Sequence, residues 1–193
     1  MDFTMPVWSK NKLFLTVVFL MTAHLSAMTH AADIRIRHVT HQIINNIYVI
    51  NADIRYKLNP KPLEALKSGI PLIFYLELEF VRPRDFLWNK KIIGVRQNVQ
   101  LEHHPLSDRF VVTNLATGDR FSFNSLEDAL QKMGEIRNLP VVDKKALKGQ
   151  GPLIGRLRTG LDIESLPPPM RLQAWLSPQW WLSTGWYEWE ILP

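Results

Sequence analysis

Glu77 and Glu79 are two residues apart, and in an extended chain that spacing puts both carboxylates on one face. Carboxylates paired in this way can share general acid–base work, with His103 or His104 as a third member. One reading is therefore an envelope hydrolase built on Glu77, Glu79 and a histidine. The same pair also reads as the solvated end of a strand, facing Arg156 and Arg158 on a neighbouring strand. His38 and His41 are three apart and His103 and His104 are adjacent, so within strands each pair diverges and offers no metal-ligand spacing. The chain has no cysteine, which excludes disulfides, thiolate metal sites, a cysteine nucleophile and a lipid-modified N-terminal cysteine. It also lacks a glycine-rich phosphate loop, a serine elbow and a zinc-helix motif. These residues imply no cofactor and no metal, and the balance leans away from an enzyme.

Two other groups have the composition of contact surfaces. The connection over residues 82–91 mixes Arg82, Arg84, Lys90 and Lys91 with Phe86, Leu87 and Trp88. Cations draw in an anionic partner, and a large aromatic ring can anchor it. Arg84, Phe86, Trp88 and Lys90 are the candidate contact residues, unless the aromatics fold back onto the core. Trp175, Trp180, Trp181, Trp186 and Trp189 crowd the last part of the chain. Indole faces can stack on sugar rings or lie at a membrane interface, and Trp181 and Trp186 are added as contact candidates on that ground. The plainer reading packs alternate members inside and lays the others over the sheet rim. The expected partner is an envelope protein or an anionic lipid or glycan. Nucleic acid would need a broader basic surface.

The elements that must position these groups are mainly strands. Residues 70–82 organise the rest: Leu72, Phe74, Leu76, Leu78 and Phe80 line one face, while Ile73, Tyr75, Glu77 and Glu79 line the other. This is the longest apolar alternation in the chain and predicts the middle of a sheet. Residues 33–39 predict an edge strand, Asn45-Asn46 a turn, and residues 47–58 an amphipathic strand, together a hairpin. A short helix follows from Pro60, with Ser68-Gly69 as its stop. Strands are predicted over 92–101, 110–113, 120–123 and 153–163, with Gly118 in the turn of the second hairpin. Ser125 and Gly134 bracket a helix, and residues 144–148 suggest another. Met170, Leu172, Ala174 and Leu176 alternate as a strand, and residues 180–192 predict a final one, in which Trp180 and Trp181 face opposite ways. The fold class expected is mainly β: an antiparallel β-sandwich or open barrel with one or two short helices inserted.

The chain is 193 residues long, enough for one domain with its own core. Lys10 and Lys12 precede an apolar run over residues 13–21, and Thr29-His30-Ala31 offers small residues at a cleavage position. This is the grammar of a secretory signal, with cleavage expected after Ala31. The alternative is a retained N-terminal membrane anchor, but a spanning helix needs about 20 apolar residues and this run is about half that. The expected organisation is thus a signal peptide over 1–31 and a single β-rich domain over 32–193, in the periplasm. Removing Lys10, Lys12 and Asp2 takes the formal charge from +5 to +4, a mild excess that suits an anionic partner or simply solubility.

Residues 63–72, residues 123–130 and the ending Leu176-Ser177-Pro178-Gln179-Trp180 with Trp186 and Trp189 resemble domain-of-unknown-function family 4390. Its members are exported proteobacterial proteins of about this length, and the resemblance covers most of the mature chain. The family carries no assigned activity, so the resemblance implies no catalytic residue. It implies a link to envelope sensing, with a sensor kinase as one candidate partner. The leading expectation is a non-catalytic periplasmic binding module. The hydrolase is the alternative, together with lipid or glycan binding inside the sandwich, which a large tryptophan-lined apolar pocket would favour.

Overall fold

The computed structural model describes residues 34–84 and 88–191. The expected signal segment, its cleavage position and Phe86 lie outside the described residues. Among the described residues, nine strands form two antiparallel sheets, neither closed into a barrel. The smaller has the order β1 (Ile34–Ile44), β2 (Ile47–Tyr56), β7 (Glu135–Asp143). The larger runs β6 (Arg120–Phe123), β5 (Arg109–Asn114), β4 (Lys90–His104), β3 (Leu72–Arg82), β8 (Leu153–Leu161), β9 (Tyr187–Ile191).

The predicted organising strand does lie inside a sheet, with β4 on one side and β8 on the other. Its alternation places Leu72, Phe74, Leu76, Leu78 and Phe80 inward, all buried. From the smaller sheet β2 sends Tyr48, Ile50, Ala52, Ile54 and Tyr56 to meet them. Two edge-to-face ring pairs bridge the sheets: Tyr48 with Phe80, centroids 6.2 Å apart, and Tyr56 with Phe74 at 5.4 Å. One polar device lies in this interior. The Thr159 hydroxyl donates to the Tyr75 carbonyl at 2.6 Å and is 2.9 Å from the Tyr56 hydroxyl. Both side chains thus keep hydrogen bonds when buried. Burial pushes the Tyr56 phenol up to about 12, against the opposing effect of its hydrogen bond with Thr159.

Helix α1 (Pro60–Lys67) starts on proline, whose missing N–H is not needed there, and ends at Ser68 and Gly69, which takes φ +84. Helix α2 (Leu126–Gly134) is capped by Ser125, whose hydroxyl accepts from the Asp128 N–H at 3.1 Å. Its last residue sits against β2: a Cβ on Gly134 would lie 1.9 Å from the Ile54 carbonyl oxygen. The Asn45-Asn46 turn has φ of 50 and 65 at its two residues, the left-handed pair that suits a tight hairpin. Helix α3 (Lys144–Leu147) is capped by Asp143.

Three elements differ from expectation. Residues 168–176 form helix α4 (Pro168–Leu176), not a strand. Pro168 and Pro169 occupy its first turn, and apolar residues at every second position also satisfy a four-residue spacing. The final strand is shorter than residues 180–192: Pro178–Trp180 is a 3-10 turn and only Tyr187–Ile191 pairs with β8. Trp180 and Trp181 still diverge, one buried and one exposed, but through that turn rather than a pleat. Strand β7, over Glu135–Asp143, has no counterpart among the predicted strands. Pro140 and two register shifts against β2 break the alternation that would have announced it.

Candidate functional site

The outer face of the large sheet carries the paired carboxylates. Register sets Glu77 opposite Arg158 and Arg96, and Glu79 opposite Arg156. Glu79 accepts from Lys91 at 2.8 Å and from Arg156 at 2.9 and 2.6 Å. Glu77 accepts from Arg158 at 2.5 Å and from Arg96 at 3.2 Å, and Arg96 also reaches Asp162 at 3.3 Å. Trp186 lies across both β8 arginines, its ring centroid 4.3 Å from the Arg156 guanidinium and 4.4 Å from that of Arg158. Arg96 rests over Tyr75 at 4.9 Å. The result is a ladder of alternating charges lidded by aromatics.

This ladder pairs both carboxylates with cations. His103 instead stacks on Phe110 and contacts Asp108 at 3.0 Å and the Lys67 carbonyl at 3.3 Å. His104 lies near Arg120 and Glu102. Neither histidine has Glu77 or Glu79 among its hydrogen-bond partners, so the geometry does not assemble the hydrolase constellation. Among the described residues, no group of three or more His, Asp or Glu is placed to hold a metal.

Burial would raise the Glu79 carboxyl, but the hydrogen bonds from Lys91 and Arg156 outweigh it and hold it below its ordinary 4.5. A carboxyl depressed in the folded state lends stability above its unfolded value, and that stability goes as pH falls through the folded one. Denaturation midpoints measured from neutral pH to below the ordinary carboxylate range should therefore fall more steeply for the native chain than for Glu79→Gln. Parallel curves would show that the ladder adds no folding energy.

Of the contact candidates, Arg84, Trp88 and Lys90 are all exposed, Trp88 at 93%. Structure adds companions that the sequence does not announce. The Lys144 N–H donates to the Asn46 carbonyl at 2.7 Å, which ties α3 to the β1–β2 turn. Ile47 pairs with Asp143, and Arg82 hydrogen-bonds Gln150. Val81 pairs with both Lys91 and Ile154. The β1–β2 turn, the β3–β4 connection and the segment 144–152 therefore meet at one end of the sandwich. Ile43, Ile44 and Ile47 on the β1–β2 hairpin and Trp88 on the β3–β4 connection are exposed. Lys144, Lys145 and Lys148 are exposed there too, and neither they nor Arg84 and Lys90 form an ion pair with a described residue.

Trp181 and Trp186 do not join this group. Trp186 is half-buried on the ladder. Trp181, 56% exposed, borders a cleft of ≈ 260 Å³ with Tyr75, Trp175 and Trp180, and its indole N–H is held by the Ala174 carbonyl at 3.2 Å. Tyr75 is seven residues before Arg82, so the cleft lies about 23 Å along β3 from the cationic end. The lining of this cleft mixes Tyr75 of the outer face with the core residues Leu161, Trp180 and Leu182. A larger groove of ≈ 990 Å³ runs between β2, α1 and α2 past Leu58, Leu63 and Leu130, and has no tryptophan in its lining.

These features define an antiparallel two-sheet β protein with short inserted helices, a salt-bridged outer face and one cationic, apolar end. The chain belongs to the family described as domain of unknown function DUF4390, whose sequence model matches residues 31–190. No curated protein and no solved structure matches it.

Proposed function

We propose that this protein is a non-catalytic binding module of the bacterial envelope that docks on an anionic partner through the end carrying Arg84, Trp88 and Lys90. One observation carries the reading: three chain segments distant in sequence bring exposed isoleucines, an almost fully exposed tryptophan and lysines with no ion pair to a described residue to a single end. A folded chain gains nothing by exposing these apolar side chains, and such a patch beside cations suits an interaction surface. Export to the periplasm is supported by Lys10, Lys12, the apolar run and the small residues before Ala32. Among the described residues no helix is long and apolar enough to cross a membrane. A sensor kinase of the envelope is a partner that such a module could serve.

The test is a photo-crosslinking side chain placed at Asn89 in living cells, able to capture protein or lipid. Adducts should form in the native background and largely disappear when Lys144, Lys145 and Lys148 are replaced by serine. Adducts of equal yield in both backgrounds, or none in either, would contradict the reading.

A further inference from the structure

Resting on that docking reading, we infer that the partner of the cationic end is an anionic lipid bilayer, with Trp88 and the β1–β2 tip entering the headgroup layer. The apolar groups there are exposed at two strand ends and on a connection. Ile43, Ile44 and Ile47 flank a two-residue turn, and Trp88 sits on a connection, 93% exposed. The two clefts described above, whose linings could receive a protein side chain, lie elsewhere. A protein partner would have to supply pockets for all four apolar groups, whereas a bilayer receives them without shape matching. Tryptophan favours the bilayer boundary because its ring is apolar and its N–H can stay hydrated.

The charges are arranged to match. Lys144, Lys145 and Lys148 on and beside α3, with Arg84 and Lys90 on the neighbouring connection, form no ion pair with a described residue. Their long apolar stems let the ammonium groups reach lipid phosphates while isoleucine and tryptophan go deeper. Glu79 is balanced by Lys91 and Arg156, and these five cations outnumber the acidic Asp85, Asp143 and Glu190 of the same segments. The field at this end is therefore positive, and each cation adds attraction to an anionic surface that salt screens.

The experiment uses protein purified as cells process it, sedimented with vesicles of phosphatidylcholine alone or mixed with phosphatidylglycerol. Binding should appear on the mixed vesicles at low salt and be lost at high salt. Lys144→Ser/Lys145→Ser/Lys148→Ser should weaken it at least tenfold, on the order expected for three interfacial cations. Trp88→Ser, on an exposed connection, should weaken binding without changing the denaturation midpoint. Equal binding to both vesicle types, no sedimentation with either, or full binding by the triple lysine variant overturns the inference. If vesicles fail while the side chain at Asn89 captures a protein in a lysine-dependent way, the lipid inference falls and the docking reading stands. If that capture fails as well, both fall.

Discussion

Gly134→Ala should cost about 3 kcal/mol or more, the upper range of overpacking effects, and is the most damaging small substitution expected in this chain. The added methyl would sit 1.9 Å from the Ile54 carbonyl oxygen. That oxygen belongs to the central strand of the smaller sheet, so it cannot rotate away as a side-chain end would. Relief requires α2 to back off from β2, which would loosen the packing of Ala129 and Met133, both buried. A typical domain has only about 5–15 kcal/mol in total. Urea midpoints should show the loss directly, and an unchanged midpoint would mean that α2 does not approach β2 as described.

The second large effect is expected at Phe80→Ala, at about 3–5 kcal/mol. Phe80 is fully buried and meets the Tyr48 ring at 6.2 Å and 85°, joining the sheets just beneath the cationic end. Truncation removes apolar burial and leaves a cavity that two hydrogen-bonded sheets cannot easily close. Phe80→Leu keeps most of the volume and should cost much less, under about 1.5 kcal/mol. Comparing the two by denaturation separates lost packing from a general intolerance of change at this position. Equal and small losses would contradict the packing of β3 against β2.

Much of the scaffold was legible because several strands are buried on one face and wet on the other. In β2, β3 and β8 the period of two is nearly unbroken, so face assignment followed directly, and so did the meeting of Glu77 and Glu79 with Arg158 and Arg156. The helices with explicit punctuation, Pro60 to Gly69 and Ser125 to Gly134, were equally readable. Helix α4 was not, because Met170, Leu172, Ala174 and Leu176 are two apart and hence also four apart, and the helix leaves Leu172, Trp175 and Leu176 exposed. A pattern read as burial cannot identify an element whose apolar side faces outward.

The candidate site was half legible. Arg84, Trp88 and Lys90 stand in one short connection of unusual composition, and the structure leaves them exposed. Lys144, Lys145 and Lys148 are more than fifty positions further on, and it takes the pairing of Ile47 with Asp143, the Lys144 N–H bond to Asn46 and the Arg82–Gln150 bond to bring them alongside. The isoleucines around Asn45-Asn46 carried a usable signal, since three aliphatic residues at a tight turn have no core to enter. Grouping Trp181 and Trp186 with the loop relied on residue type alone. Topology separates them, one in a cleft toward the other end of β3 and one stacked on paired arginines.

The absence of cysteine permits a direct test of whether the cationic end is covered in the envelope. Single substitutions Trp88→Cys and Leu106→Cys would place one thiol in the docking connection and one at the β4–β5 turn, where Leu106 is 106% exposed. Maleimide labelling rates would be compared between intact envelopes and the purified protein. The account predicts slowed labelling at position 88 in envelopes and unchanged labelling at 106. Equal rates at both positions in both settings would contradict it.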